Sequence, residues 1–254
     1  MPIHWKSKND IVVISAHNGG SEKAAPATYE AYNSSVAAGT EYVEFDIRRT
    51  ADDILVVYHN ARTEPTGQLV ADLHYNELCE NAVYVVPRAD DIMRLLAGKV
   101  VAHLDLKEIG YEEEVISLAR EVLGPGNFIA TTEEDVSITN IKRAFPDTTT
   151  ALSVGRDARQ FPWHRWPNIY YDDLFPLQRI RACGADWVAM HHKLARLGVL
   201  KLCYRHGIGS IIWTVNSDAL IDRFLSDQRV NILTTDRPQY ASRRRSDLVH
   251  QRSR

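Results

Sequence analysis

Short runs of apolar and β-branched residues alternate with helix-like segments along this chain, and that alternation limits its fold more than any other feature. The runs fall at 11–16, 42–47, 54–59, 100–106, 127–130, 149–154, 186–190, 210–215 and 231–234. Helical patterning occupies 29–38, 89–97, 111–123, 133–145, 175–183, 195–206 and 218–225. Several of these segments stop at a residue that ends helices, such as Gly39, Gly98, Pro146, Gly184 and Gly207. Parallel strands need a crossover between them, so strand-then-helix repetition implies a parallel sheet. About eight such units imply a closed barrel. The length of 254 residues suits one (β/α)8 barrel. Runs 42–47 and 54–59 lie too close together for a helical crossover. They predict a barrel strand followed by an antiparallel excursion. A small insertion over 60–88 then follows the second barrel strand.

One α/β domain is expected over residues 1–240. Residues 241–254 carry Arg243, Arg244, Arg245, Arg252 and Arg254 and read as a basic, disordered tail. The aromatic-rich stretch 155–173 reads as a rim loop or a hydrophobic lid. A net charge of −3 argues against a nucleic-acid partner. No apolar stretch is long enough for an integral membrane segment, and the first residues lack the apolar core of a signal peptide. The three cysteines, Cys79, Cys183 and Cys203, form no C-x-x-C pair, and their odd number suits reduced thiols in the cytoplasm. The oligomeric state is not indicated.

Chemistry concentrates where the runs end. Glu44 and Asp46 flank Phe45, and strand residues two apart share a face, so both carboxylates aim at one spot. Charges so placed in a low-dielectric interior need a partner, and a divalent cation with oxygen ligands is the simplest one. His17 ends the first run and His59 ends the third. In parallel α/β folds, active sites are built at such strand ends. His103 shares the face of Asp105, as a partner to it or as an extra polar group inside the barrel. His191 and His192 read as rim residues. For Glu44 and Asp46 the alternative is a structural pairing with a nearby arginine such as Arg48. For Trp213 it is plain core packing.

Five motifs in order then resemble the glycerophosphodiester phosphodiesterase family, a phospholipase-C-like TIM barrel. They are His17-Asn18-Gly19, Pro26-Ala27-Thr28-Tyr29, Glu44-Phe45-Asp46, His59-Asn60 and Asp105-Leu106-Lys107. Near the C-terminus, Trp213-Thr214-Val215-Asn216 and Thr235-Asp236-Arg237-Pro238 extend the resemblance to residue 238. It implies that Glu44, Asp46 and Asp105 bind Mg²⁺ or Ca²⁺. It implies that His17 and His59 are the acid/base pair, that Lys107 holds the phosphate and that Trp213 packs against the alcohol. The substrate would be a small-molecule glycerophosphodiester or a related phospholipid-derived diester. The products would be a phosphomonoester, or a cyclic phosphate, and an alcohol. These roles make chemical sense. A cation and a lysine neutralise a phosphodiester, and imidazoles exchange protons near neutral pH.

Four positions depart from the family pattern. Asn18 stands in place of an arginine and would contact substrate without charge, Ala27 in place of a glutamate, Asp105 in place of a glutamate, and Asn60 in place of an aspartate. All four leave the site less charged or shorter in reach. Two competing readings follow: a barrel that binds a phosphate-containing ligand with weakened turnover, and a metal-dependent barrel hydrolase of another substrate class.

Overall fold

The computed structural model describes residues 11–64 and 66–252. Nine strands form one sheet: β1 (Val13–Ala16), β2 (Tyr42–Arg49), β3 (Leu55–Val57), β4 (Val101–Leu106), β5 (Phe128–Thr132), β6 (Thr150–Val154), β7 (Trp187–His191), β8 (Gly209–Trp213) and β9 (Ile232–Thr235). The order β1-β9-β8-β7-β6-β5-β4-β2 closes through a parallel β1–β2 pairing. The fold is therefore the expected α/β barrel of eight parallel strands with helices around it. β3 lies outside the ring, antiparallel to the end of β2, with Ile47 opposite Val57 and Arg49 opposite Leu55. This is the excursion the short spacing requires, and the insertion follows it.

Strand parity sorts each side chain into one of two cores. Val43, Phe45 and Ile47 face outward and pack with Leu104, Leu106, Met93 and Leu96. The opposite parity faces the barrel axis. At its lower end Tyr42, Ile129, Ala151, Trp187, Ile211 and Ile232 form an apolar floor. Gly209 is required there, because a Cβ at that position would lie 2.4 Å from the Trp187 indole. Above the floor the same parity delivers polar groups, and the β2–β4 register sets Glu44 beside His103 and Asp46 beside Asp105. The sequence thus builds a dry base that supports a polar mouth.

Elsewhere the structure differs from the sequence reading in four places. The expected helix at 195–206 is two helices, His192–Arg196 and Val199–Arg205, separated at Gly198 with φ 112°. The insertion contains a helix, Tyr75–Ala82, that its composition does not announce. Only Leu78 of that helix is buried, against Val56, Val70, Leu73 and Val86. The stretch 155–173 is largely helical turns and the helix Trp166–Leu174, with Trp163, Tyr170 and Tyr171 exposed. The tail expected to be disordered continues a helix, Pro238–Arg252. Arg244 pairs with Asp222 at 2.8 Å, and Arg245 pairs with Glu41 at 2.5 Å. A run of arginines in sequence does not show that acidic partners await it on other elements. Among the described residues, no helix is long and apolar enough to cross a membrane.

Candidate active site

A cavity of about 230 Å³ opens at the C-terminal ends of the barrel strands, lined by His17, Glu44, Asp46, His59, Asp105 and Lys107 among others. Seven of the eight residues singled out from sequence, Trp213 included, thus meet around one space. Asn18 does not. It is buried, its φ of 49° is left-handed, and its side-chain Nδ2 lies 3.4 Å from His17 Nε2. That backbone turn directs the Asn18 N–H to Glu44 Oε2 at 2.8 Å.

The carboxylates are held unequally. Glu44 is 4% exposed and Asp46 1%. Lys107 Nζ sits 2.8 Å from Asp46 Oδ1 and also binds Asp105 Oδ2. Burial pushes the Glu44 carboxyl up to about 8, and the neighbouring Asp46 adds to this. Burial would raise Asp46 too, but the Lys107 ammonium and the nearby histidines outweigh it and hold Asp46 below the usual range. The same carboxylates drive Lys107 upward against its own burial. Arg48 does not neutralise the pair, because it bonds Glu108 and the His59 carbonyl instead.

Oxygen atoms of Glu44, Asp46 and Asp105 lie within 4.8 Å of one another. Ligands on opposite sides of a Mg²⁺ or Ca²⁺ ion stand about 4–5 Å apart, twice the metal–oxygen bond. Asp46 Oδ2 is buried with no hydrogen-bond partner, a costly state for a carboxylate oxygen. Donor type, spacing and the orphaned oxygen all fit one divalent cation.

The two histidines differ. His17 Nδ1 lies 2.6 Å from Asp236 Oδ1, and Asn216 Nδ2 donates to the other oxygen of Asp236 at 2.5 Å. Burial would lower the His17 pKa, but Glu44 and Asp236 together outweigh it and raise it to about 9. His59 is exposed, and its Nδ1 lies 2.9 Å from Asn60 Oδ1. An amide oxygen only accepts, so in the neutral ring Nδ1 carries the proton and Nε2 presents its lone pair. Beneath them, buried His103 has its pKa lowered to about 4 by desolvation.

The family profile for glycerophosphoryl diester phosphodiesterases matches residues 17–136, a span that contains every strand-end motif from His17 to Lys107. The matched span is slightly less than half of the chain, and over it the chain is similar to this family, whose members are phosphoric diester hydrolases. Relatives resemble it along most of its length. Glycerophosphodiester phosphodiesterase GDPD4 of Arabidopsis thaliana is 23% identical over 245 residues, covering 88% of this chain and 70% of that one. YhdW of Bacillus subtilis (strain 168), provisionally named a glycerophosphodiester phosphodiesterase, is 23% identical over 244 residues, covering 89% and 95%. Solved structures share the fold. A glycerophosphodiester phosphodiesterase from Parabacteroides distasonis superposes with a TM-score of 0.73 at 19% identity, covering 96% of this chain and 99% of that one. An Oleispira antarctica phosphodiesterase, solved with its product sn-glycerol-3-phosphate, has a TM-score of 0.72 at 18% identity, covering 92% and 96%.

Sequence reasoning did not assign site positions to Asp236, Asn216, Thr131 or Glu133. The first two lie inside the C-terminal motifs that carried the resemblance, so a signal was present. Thr131 and Glu133 line the cavity at the end of β5, and in sequence they are ordinary polar residues. The segment 155–173 contributes no residue to the lining of this cavity, so the lid reading is not supported.

Proposed function

We propose that this enzyme hydrolyses a glycerophosphodiester or a related phospholipid-derived diester with the help of a divalent cation, Mg²⁺ or Ca²⁺. The observation that carries this reading is the convergence of Glu44, Asp46, Asp105 and Lys107 with His17 and His59 on one cavity. Glu44, Asp46 and Asp105 would hold the cation. When bound, it supplies charge neutralisation and polarisation at the phosphoryl oxygens. The Lys107 ammonium has three donors and gives two to carboxylates, which leaves one for a phosphoryl oxygen.

His17, kept protonated by Glu44 and Asp236, is suited to donate a proton to the departing alkoxide. His59 presents an unprotonated Nε2 and is suited to accept one from the attacking nucleophile. Trp213 turns its ring against His191 at a 5.3 Å centroid distance and leaves its buried Nε1 without a partner. It would bound the alcohol end of the substrate. Asn18 reaches His17 at Nε2, the nitrogen not bound to Asp236, so its influence on the substrate would pass through that nitrogen. The three free cysteines support action in the cytoplasm.

Calorimetric titration with Mg²⁺ and Ca²⁺ tests the ligand set. Glu44→Gln and Asp46→Asn should each weaken binding at least tenfold and remove most activity. Unchanged affinity in both variants would refute the assignment, and would leave a phosphate-ligand-binding barrel or a hydrolase of another class as the better reading.

A further inference from the structure

Beneath the carboxylates runs a buried chain of hydrogen bonds that acid/base chemistry does not use. Ser15 Oγ lies 3.3 Å from His103 Nδ1, His103 Nε2 lies 3.2 Å from Thr131 Oγ1, and Thr131 Oγ1 lies 2.8 Å from Asp105 Oδ1. Ser15, His103 and Thr131 are each at most 4% exposed. They come from β1, β4 and β5, so the chain crosses the barrel interior.

Its direction follows from the donors available. Asp105 is ion-paired with Lys107, and the Thr131 hydroxyl donates to its other oxygen. The alternative acceptor, the Leu104 carbonyl, is farther at 3.3 Å. A hydroxyl has one proton, so Thr131 must accept from His103 Nε2–H. In neutral imidazole the other nitrogen, Nδ1, is then an acceptor, and Ser15 must donate to it. Both nitrogens of His103 are thereby committed, and the residue is a link between hydroxyls and not a proton donor to substrate.

The purpose lies at Asp105. Asp46 keeps one oxygen without a protein partner, whereas both Asp105 oxygens are engaged, Oδ2 by Lys107 and Oδ1 by Thr131. We propose that Thr131, oriented by His103 and Ser15, is a positioning residue that fixes the Asp105 carboxylate for the cation. This inference rests on the metal reading above. Groups that orient metal ligands typically change metal affinity by about 10–100-fold when removed.

Two measurements on the full chain test it. In the ion-free protein, ¹⁵N NMR of His103, assigned by comparison with His103→Asn, should show the Nε2–H tautomer. Thr131→Val, similar in shape, should lose that preference, and calorimetry with Ca²⁺ or Mg²⁺ alone should show roughly 10-fold or greater loss of affinity. Thr131→Ser should restore both, and circular dichroism should report a folded barrel in each variant. An Nδ1–H tautomer in the parent would overturn the proposed chain. Parent-like affinity in Thr131→Val would overturn the positioning role alone. A parent that binds neither ion would instead refute the metal reading.

Discussion

Replacing Asp236 with asparagine removes one charge beside His17 and keeps the shape of the side chain. The bond in question is 2.6 Å long, and the His17 side chain is 27% exposed. A hydrogen bond between charged partners contributes about 1.5–3 kcal/mol, and partial exposure places this one near the lower end. At 1.36 kcal/mol per pKa unit, a loss of about 1.5–2 kcal/mol would bring His17 from about 9 down to roughly 7.5–8. The consequence for stability has a definite sign. A histidine whose pKa is raised on folding stabilises fully below its unfolded value of about 6.5, and the effect disappears as pH rises through the folded value. The parent should therefore exceed Asp236→Asn by about 1.5–2 kcal/mol at pH 6–7 from this linkage. That gap should shrink through pH 9 and level off by about pH 10. Loss of the Asn216 contact adds a constant offset and leaves the slope unchanged. Urea unfolding at intervals from pH 6 to 10 in EDTA measures the difference directly. A difference that stays flat across this range would refute the claim that Asp236 holds the His17 proton.

Two further outcomes follow from the same structure. His59→Ala should bind Ca²⁺ or Mg²⁺ as the parent does yet lose about 10²–10⁴-fold in turnover, the usual scale for a general base; steady-state kinetics beside calorimetry checks both. Val83, which ends the helix Tyr75–Ala82 at φ 63° and is 86% exposed, should be improved by glycine. A left-handed β-branched residue costs roughly 1–2 kcal/mol, and glycine's extra chain entropy offsets part of that. Val83→Gly should thus gain about 1 kcal/mol in chemical denaturation.

What could be read before the structure was whatever strand parity and local patterning determine. Residues 42 to 47 alternate faces, so Glu44 and Asp46 had to converge, and His103 and Asp105 had to join them once β4 lay alongside β2. The long apolar runs placed every strand. Long-range partners were not legible in this way. Asp236 reaches His17 only because closure sets β9 against β1, with Ala16 opposite Thr235, across more than 200 residues of chain. Thr131 supports Asp105 through the β4–β5 register, which pairs those two residues. Asn18 looked like a substrate contact from its place after the first histidine. Its left-handed backbone gives the amide to Glu44, and its side chain lies against His17 Nε2. The arginines of the last helix looked solvated because their partners, Asp222 and Glu41, are distant in sequence.

The central claim, cation-dependent hydrolysis of a phosphodiester, is tested most directly by ³¹P NMR. The parent protein is incubated with a panel of glycerophosphodiesters in EDTA and again with excess Mg²⁺ or Ca²⁺. The account predicts that a diester signal gives way to a phosphomonoester, or to a cyclic phosphate, only when the ion is present. It also predicts that His17→Ala and His59→Ala slow this conversion by about 10²-fold or more. Equal turnover in EDTA, or no turnover of any diester with either ion, would contradict it.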